Sequence, residues 1–170
     1  MNMLLVLAVF VGVAAPVFAQ STGNVDRLSS ASKASVVSSY YAQEAPLDTR
    51  VGSDLRLASA YCLLHTFSTR SRNVCWRRVK EALVKAGVVS SYPESVYAYQ
   101  AGDELVARYG FSKVNIRKPY DAPVGAILVY KDNGEGGGMG HVEFRTQHGF
   151  VSDYASRGYC KFKLTGVYIK

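Results

Sequence analysis

Hydrophobic and polar positions along this chain follow two different periods. From residue 53 to residue 110 apolar residues recur at helical spacing, and from residue 124 onward they run in short β-branched and aromatic blocks. In "SDLRLASAYCLLHTF" the residues Leu55, Ala58, Tyr61, Cys62 and His65 share one stripe, which predicts a first helix. In "NVCWRRVKEALVKAGVV" Asn73 reads as the N-cap and Gly87 as the stop. Val79, Ala82, Leu83 and Ala86 form the inward face there, with Arg77, Arg78, Lys80, Glu81 and Lys85 outside. A third helix is expected after Pro93, through "ESVYAYQAGDELVARYG" to Gly110. "VGAILVYK", "GHVEFRTQ", "GFVSDYAS" and "KFKLTGVYIK" then read as an antiparallel meander with Gly-bearing turns. Helices followed by strands imply an α+β domain, its N-terminal helices packed on one face of a C-terminal antiparallel β-sheet.

The first residues follow neither period. Residues 1–19 carry no charged side chain, end in small residues around Pro16, and place Val17 and Ala19 where a signal peptidase inspects its substrate. Cleavage after Ala19 is expected, which makes the mature chain periplasmic or secreted. No cysteine follows the cleavage site to carry a lipid, so no stable membrane anchor is expected. Residues 20–39 are Ser-rich and poor in large apolar side chains, a linker or arm, and residues 40–170 form a single domain. The net charge of +7 and pI near 9.4 favour acidic partners or an acidic surface. Lys and Arg are scattered and no groove-reading motif occurs, so nucleic acid is not the expected partner; a polyanionic envelope or an acidic envelope peptide is.

Three cysteines, an odd number, leave at least one thiol unpaired in an exported chain. Cys75 falls at the start of the second helix on the stripe of Val79, Ala82 and Ala86, so its sulfur points toward the sheet. The helix N-terminus and the nearby Arg72, Arg77 and Arg78 favour an anion there, which is how a nucleophilic thiolate is made. Such a thiolate needs a base. His65 reads as a satisfied core histidine and His148 as a solvated turn residue, whereas His141 opens a strand behind a glycine-rich segment. The imidazole needs an orienting group. Asp153, expected on the neighbouring strand, is preferred as that group over Glu143, two residues along the strand of His141. No cofactor is implied: "HVE" echoes the His-x-Glu of zinc deaminases, but no Pro-Cys-x-x-Cys follows, and "KDNGEGGG" lacks calcium-loop spacing and reads as a mobile flap bordering the site.

A Cys at a helix start, "APVGAILVYK", a glycine-rich turn with "GHVEF", and a polar residue on the next strand together resemble the CHAP amidohydrolase/peptidase family and its NlpC-type relatives. The resemblance spans about residues 53 to 159. "NVCWR" stands where NlpC-type enzymes carry Asp-Cys-Ser, and Asp153 stands where CHAP members more often carry Glu or Asn. It implies a papain-like core and a cysteine peptidase or amidase acting on peptidoglycan, with Cys75 as nucleophile, His141 as base and Asp153 as third member. The oxyanion would then rest against the Cys75 backbone N–H.

With Cys75 as the free thiol, Cys62 and Cys160 remain as a candidate disulfide, a pairing the sequence leaves open. Two other functions fit parts of the chain. One is a secreted effector using the same triad as a peptidase or deamidase on a protein target. The other is a non-catalytic wall-binding module, suggested by the Tyr-rich "SSYY", "SYPESVYAYQ" and "SRGYC".

Overall fold

A computed structural model of the protein describes residues 48–134 and 137–170. The expected signal peptide, the Ser-rich arm and the centre of the glycine-rich flap lie outside the described residues. Among those described, α1 spans Ser53–Leu64, α2 Cys75–Lys85 and α3 Ala101–Tyr109. The strands are β1 Ser112–Val114, β2 Ile127–Lys131, β3 His141–Thr146, β4 Gly149–Val151, β5 Ala155–Ser156 and β6 Lys163–Ile169. The fold is α+β, its helices packed on an antiparallel sheet, as the change of period predicts.

The first helix buries Leu55, Ala58, Ser59 and Cys62 against α2, β3 and β4. Two polar contacts fix its rotation: Ser59 Oγ donates to the Arg145 carbonyl at 3.4 Å and Cys62 Sγ to the Ser152 carbonyl at 3.4 Å. The second helix packs on β3 and buries Trp76, Val79, Ala82 and Leu83, three of them on the expected inward face. Its end is closed by Val88 N–H donating to Leu83 O at 3.0 Å and Gly87 N–H to Val84 O at 3.1 Å, a Schellman motif at the expected stop.

Lys80, expected outside, is buried. Its ammonium donates to the Ser95 carbonyl at 2.6 Å and lies 5.1 Å from the ring centroids of both Trp76 and Tyr92, while burial lowers its pKa. The loop of residues 92–95 folds over this side of the helix and turns an outward position into an inner one. The third helix begins at Ala101, later than expected. Glu104 accepts the backbone N–H groups of Glu94 at 2.6 Å and Ser95 at 2.9 Å, holding that stretch as a loop, and a 3₁₀ turn at Ala98–Gln100 leads into the helix.

The sheet order is β1-β6-β2-β3-β4-β5, every neighbouring pair antiparallel. Strands β2 to β5 form the expected meander. The last strand instead crosses back to the free edge of β2, and the short β1, absent from the sequence reading, adds beyond it. Residues Ile127–Tyr130 are all buried, and successive strand residues point to opposite faces, so β2 is covered on both sides rather than on the single face expected. The centre of the sheet is therefore dry where β2 meets β3, and His141 opens β3 there.

Candidate active site

The chain leading into α2 does not use Asn73 as a side-chain cap. Val74 is the N-cap, and Asn73 has φ +60, a left-handed conformation that Asn tolerates better than most residues. The turn is held from outside by Asp153, whose Oδ2 accepts Arg72 N–H at 2.6 Å, Val74 N–H at 3.2 Å and the Ser71 hydroxyl at 3.2 Å. The helical ladder starts with Arg78 N–H donating to Val74 O at 3.1 Å, so the N–H groups of Cys75, Trp76 and Arg77 precede it and point out of the helix start. Cys75 is the first residue of α2 and is half-buried.

On the sheet side, Gly140 has φ +71, and a Cβ there would sit 2.5 Å from the Tyr130 carbonyl oxygen and 2.9 Å from Tyr99 Cβ. Only glycine fits this approach, and it sets the next residue, His141, against α2. The imidazole is buried and lines the same cleft as Cys75. Its Nε2 lies 3.3 Å from Glu143 Oε2 and 3.5 Å from Ser152 Oγ. Glu143 is 2% exposed and is held in turn: its Oε1 accepts the Tyr130 hydroxyl at 2.7 Å and the Cys160 backbone N–H at 3.3 Å. Tyr130 stands directly opposite His141 on β2 and reaches diagonally to Glu143.

Glu143, and not Asp153, is thus the carboxylate against His141. The cross-strand argument for Asp153 assumes that β4 runs alongside His141, but the β3–β4 pairing ends at Phe144 opposite Val151. Continued by three residues, that register brings Tyr154 to the level of His141, and the Tyr154 ring lies 5.8 Å from the imidazole. Asp153 has the other parity and turns to the Ser71–Val74 loop. Among the described residues it connects with His141 through Ser152, whose hydroxyl donates to Asp153 Oδ1 at 3.2 Å. Tyr130, Ser152 and the Cys160 backbone escaped the sequence reading. Pairing "VYK" with "GHVEF" as a hairpin would have brought Tyr130 to Glu143.

Burial pushes the His141 imidazolium down, but hydrogen bonds to Cys75 and Glu143 and the charges of both outweigh it and raise the pKa to about 10. The ring therefore holds its proton more firmly than an ordinary imidazole does. Tyr130 is pushed far up by burial and by the Glu143 charge, so it stays a neutral donor to that carboxylate. The other two cysteines are protonated thiols at neutral pH: burial carries Cys62 up to about 12 and Cys160 up to about 11. They form no disulfide. All three thiols are free, Cys62 bonded to the Ser152 carbonyl in the core and Cys160 facing the same cleft as Cys75. Of the remaining histidines, His65 caps α1, its Nδ1 2.8 Å from the Tyr61 carbonyl and its ring stacked on Tyr61, while His148 is exposed in the β3–β4 turn.

Cys75 and His141 open into a cleft of about 530 Å³, walled by Trp76, Tyr92, Val96, Met139, Tyr154 and Phe162. A carbonyl group entering it meets the Cys75 sulfur, the His141 ring and a helix N-terminus together.

No protein-family model and no curated protein matches the sequence. Among solved structures, the chain is similar to one in the type VI native effector–immunity complex Tae3–Tai3 from Ralstonia pickettii. The TM-score is 0.53 at 19% identity, over 69% of this chain and 98% of that one. A chain in the selenomethionine form of that complex is also similar, with TM-score 0.46 and 21% identity over 57% of this chain and 78% of the other. The first of these supports the fold alone, an α+β domain with a papain-like core in which a cysteine-bearing helix packs on an antiparallel sheet.

Proposed function

We propose that this protein is an exported cysteine hydrolase of the CHAP or NlpC-like kind that cleaves an amide or peptide bond in bacterial peptidoglycan. The observation that carries this reading is the buried His141–Glu143 pair meeting the half-buried Cys75 in one open cleft. The expected signal sequence and the net charge of +7 agree with an acidic envelope substrate.

The Cys75 thiolate attacks the scissile carbonyl carbon, and the oxyanion that forms is met by the backbone N–H groups at the start of α2. The His141 imidazolium then gives its proton to the leaving amine, and the amine departs to leave a thioester on Cys75. The neutral imidazole next takes a proton from water, which attacks the thioester and releases the carboxylic acid. Glu143 keeps Nε2 protonated and the ring in plane throughout. Asp153 acts one step back, holding the loop that aims Cys75. Acid-quenching a reaction with purified peptidoglycan and weighing the Cys75-bearing peptide tests the scheme. A substrate-derived acyl mass on Cys75 is expected, and undiminished fragment release by the Cys75→Ala protein would rule out covalent catalysis by this thiol.

The likeness to a chain of an effector–immunity complex favours a second reading of the partners, in which the wall belongs to a competing cell and a dedicated protein binds and blocks the cleft. Such a protein would abolish wall cleavage when mixed with this chain at equal concentration. Failure of every co-expressed neighbour to do so would remove that reading.

A further inference from the structure

Beside the catalytic cleft lies a second depression of about 660 Å³, lined by Arg70, Arg72, Arg77 and Arg78 together with Phe67. The two hollows share a wall: Ser71, Val74 and Arg77 line both. Arginines outnumber the acidic groups in the depression. Arg78 pairs with Glu81 at 3.0 Å, but among the described residues Arg70, Arg72 and Arg77 have no ion pair. The carboxylate at the bottom, Asp153, accepts two backbone N–H groups and two hydroxyls and makes no ion pair with any of the three guanidinium groups, so its single charge is shared among several arginines.

The surface is also held in shape. Thr66 Oγ1 donates to the Ser152 carbonyl at 2.9 Å, Ala155 N–H to the Ser68 carbonyl at 3.0 Å, and Ser68 Oγ to the Arg70 carbonyl at 2.7 Å. The loop bearing the arginines is therefore tied to the edge of the sheet. Phe67 is 90% exposed beside them, an apolar surface for an aliphatic side chain. Guanidinium groups that lack acidic partners suit planar carboxylates.

We propose that this arginine shelf is a substrate subsite that binds the free carboxylates of an acidic peptide whose scissile bond lies over Cys75. The proposal rests on the hydrolase reading for the identity of the peptide, and the shelf fixes what that peptide must carry on one side of the cleaved bond. Substrates whose carboxylates are converted to carboxamides would be recognised poorly.

The test uses two probes, a purified peptidoglycan stem peptide in its free-acid form and the same peptide as its carboxamide. Binding is measured by calorimetry to the Cys75→Ala protein, with and without Arg70→Gln and Arg72→Gln, and cleavage is measured with the Cys75 protein. The free acid is expected to bind at least about tenfold tighter than the carboxamide, with the preference lost in the double variant and weakened by salt. Carboxamide binding should be unchanged by the two substitutions. Equal affinity for both forms, no binding of the free acid, or an equal loss for both in the double variant overturns the shelf. Cys75-dependent cleavage that ignores the carboxylates also overturns it and leaves the hydrolase standing. An arginine-dependent preference in a protein that cleaves no wall keeps the shelf and removes the hydrolase.

Discussion

Glu143→Gln is the substitution that best separates the two carboxylates near His141. The side chain is 2% exposed and its Oε1 serves Tyr130 and Cys160 N–H, so the Gln carbonyl oxygen will take that position. Its amide nitrogen then faces Nε2, donor against donor, across the 3.3 Å that now separates Nε2 from Oε2. A charge-assisted hydrogen bond is worth roughly 1.5–3 kcal/mol, so kcat/KM should fall about 10- to 150-fold. Glu143 also helps to raise His141 to about 10, so the alkaline limb of the pH–rate profile should move to lower pH in the variant. Asp153→Asn acts elsewhere. It weakens the anchor of the Ser71–Val74 turn, at a cost of about 1–3 kcal/mol, and so lowers the melting temperature by several degrees. Its alkaline limb should stay in place. Fragment release from purified peptidoglycan across pH, with melting curves of each variant, reads all of this. The reasoning is refuted if Glu143→Gln keeps kcat/KM within about threefold and Asp153→Asn is the variant whose alkaline limb moves.

Three further outcomes follow from the same geometry. Gly140→Ala should lose about 1–3 kcal/mol of stability and most of the activity, since its Cβ strikes the Tyr130 carbonyl at a left-handed backbone just before His141; urea melts and turnover check both. Because the folded-state pKa of His141 is raised from 6.5 to about 10, its stabilising effect is complete below about pH 6.5 and is lost as pH rises through about 10. Melting temperature should therefore fall across that window, and a His141→Ala protein should show a flatter alkaline limb. Iodoacetamide at pH 7 should label Cys75 well before Cys62 or Cys160, whose thiols burial holds protonated, as mapped by peptide mass; faster labelling of Cys160 would contradict Cys75 as the nucleophile.

Much of this arrangement was legible in residue order alone. Cys75 at a helix start and His141 behind a glycine-rich turn are local signals, since caps, stops and strand edges are written within a few residues. The errors came from contacts between distant segments. Asn73 looks like a cap until Asp153, 79 residues beyond Val74, takes the N–H groups of that turn. Lys80 reads as solvated because its helix is amphipathic, but the Ser95 loop closes over it. The choice of Asp153 over Glu143 depended on where the β3–β4 ladder stops, and that end point is set by the bend after Val151 rather than by alternation. The pairing of Cys62 with Cys160 rested on cysteine number, which does not encode which thiol meets a carbonyl and which meets the cleft.

The central claim is that Cys75 cleaves peptidoglycan with His141 as its proton carrier. Its most direct test is to incubate the mature chain and its Cys75→Ala form with purified peptidoglycan and to identify released fragments by mass spectrometry. The account predicts fragments with one new amine and one new carboxyl end from the first protein and none from the second. Equal release by both, or an intact wall with both, would contradict it.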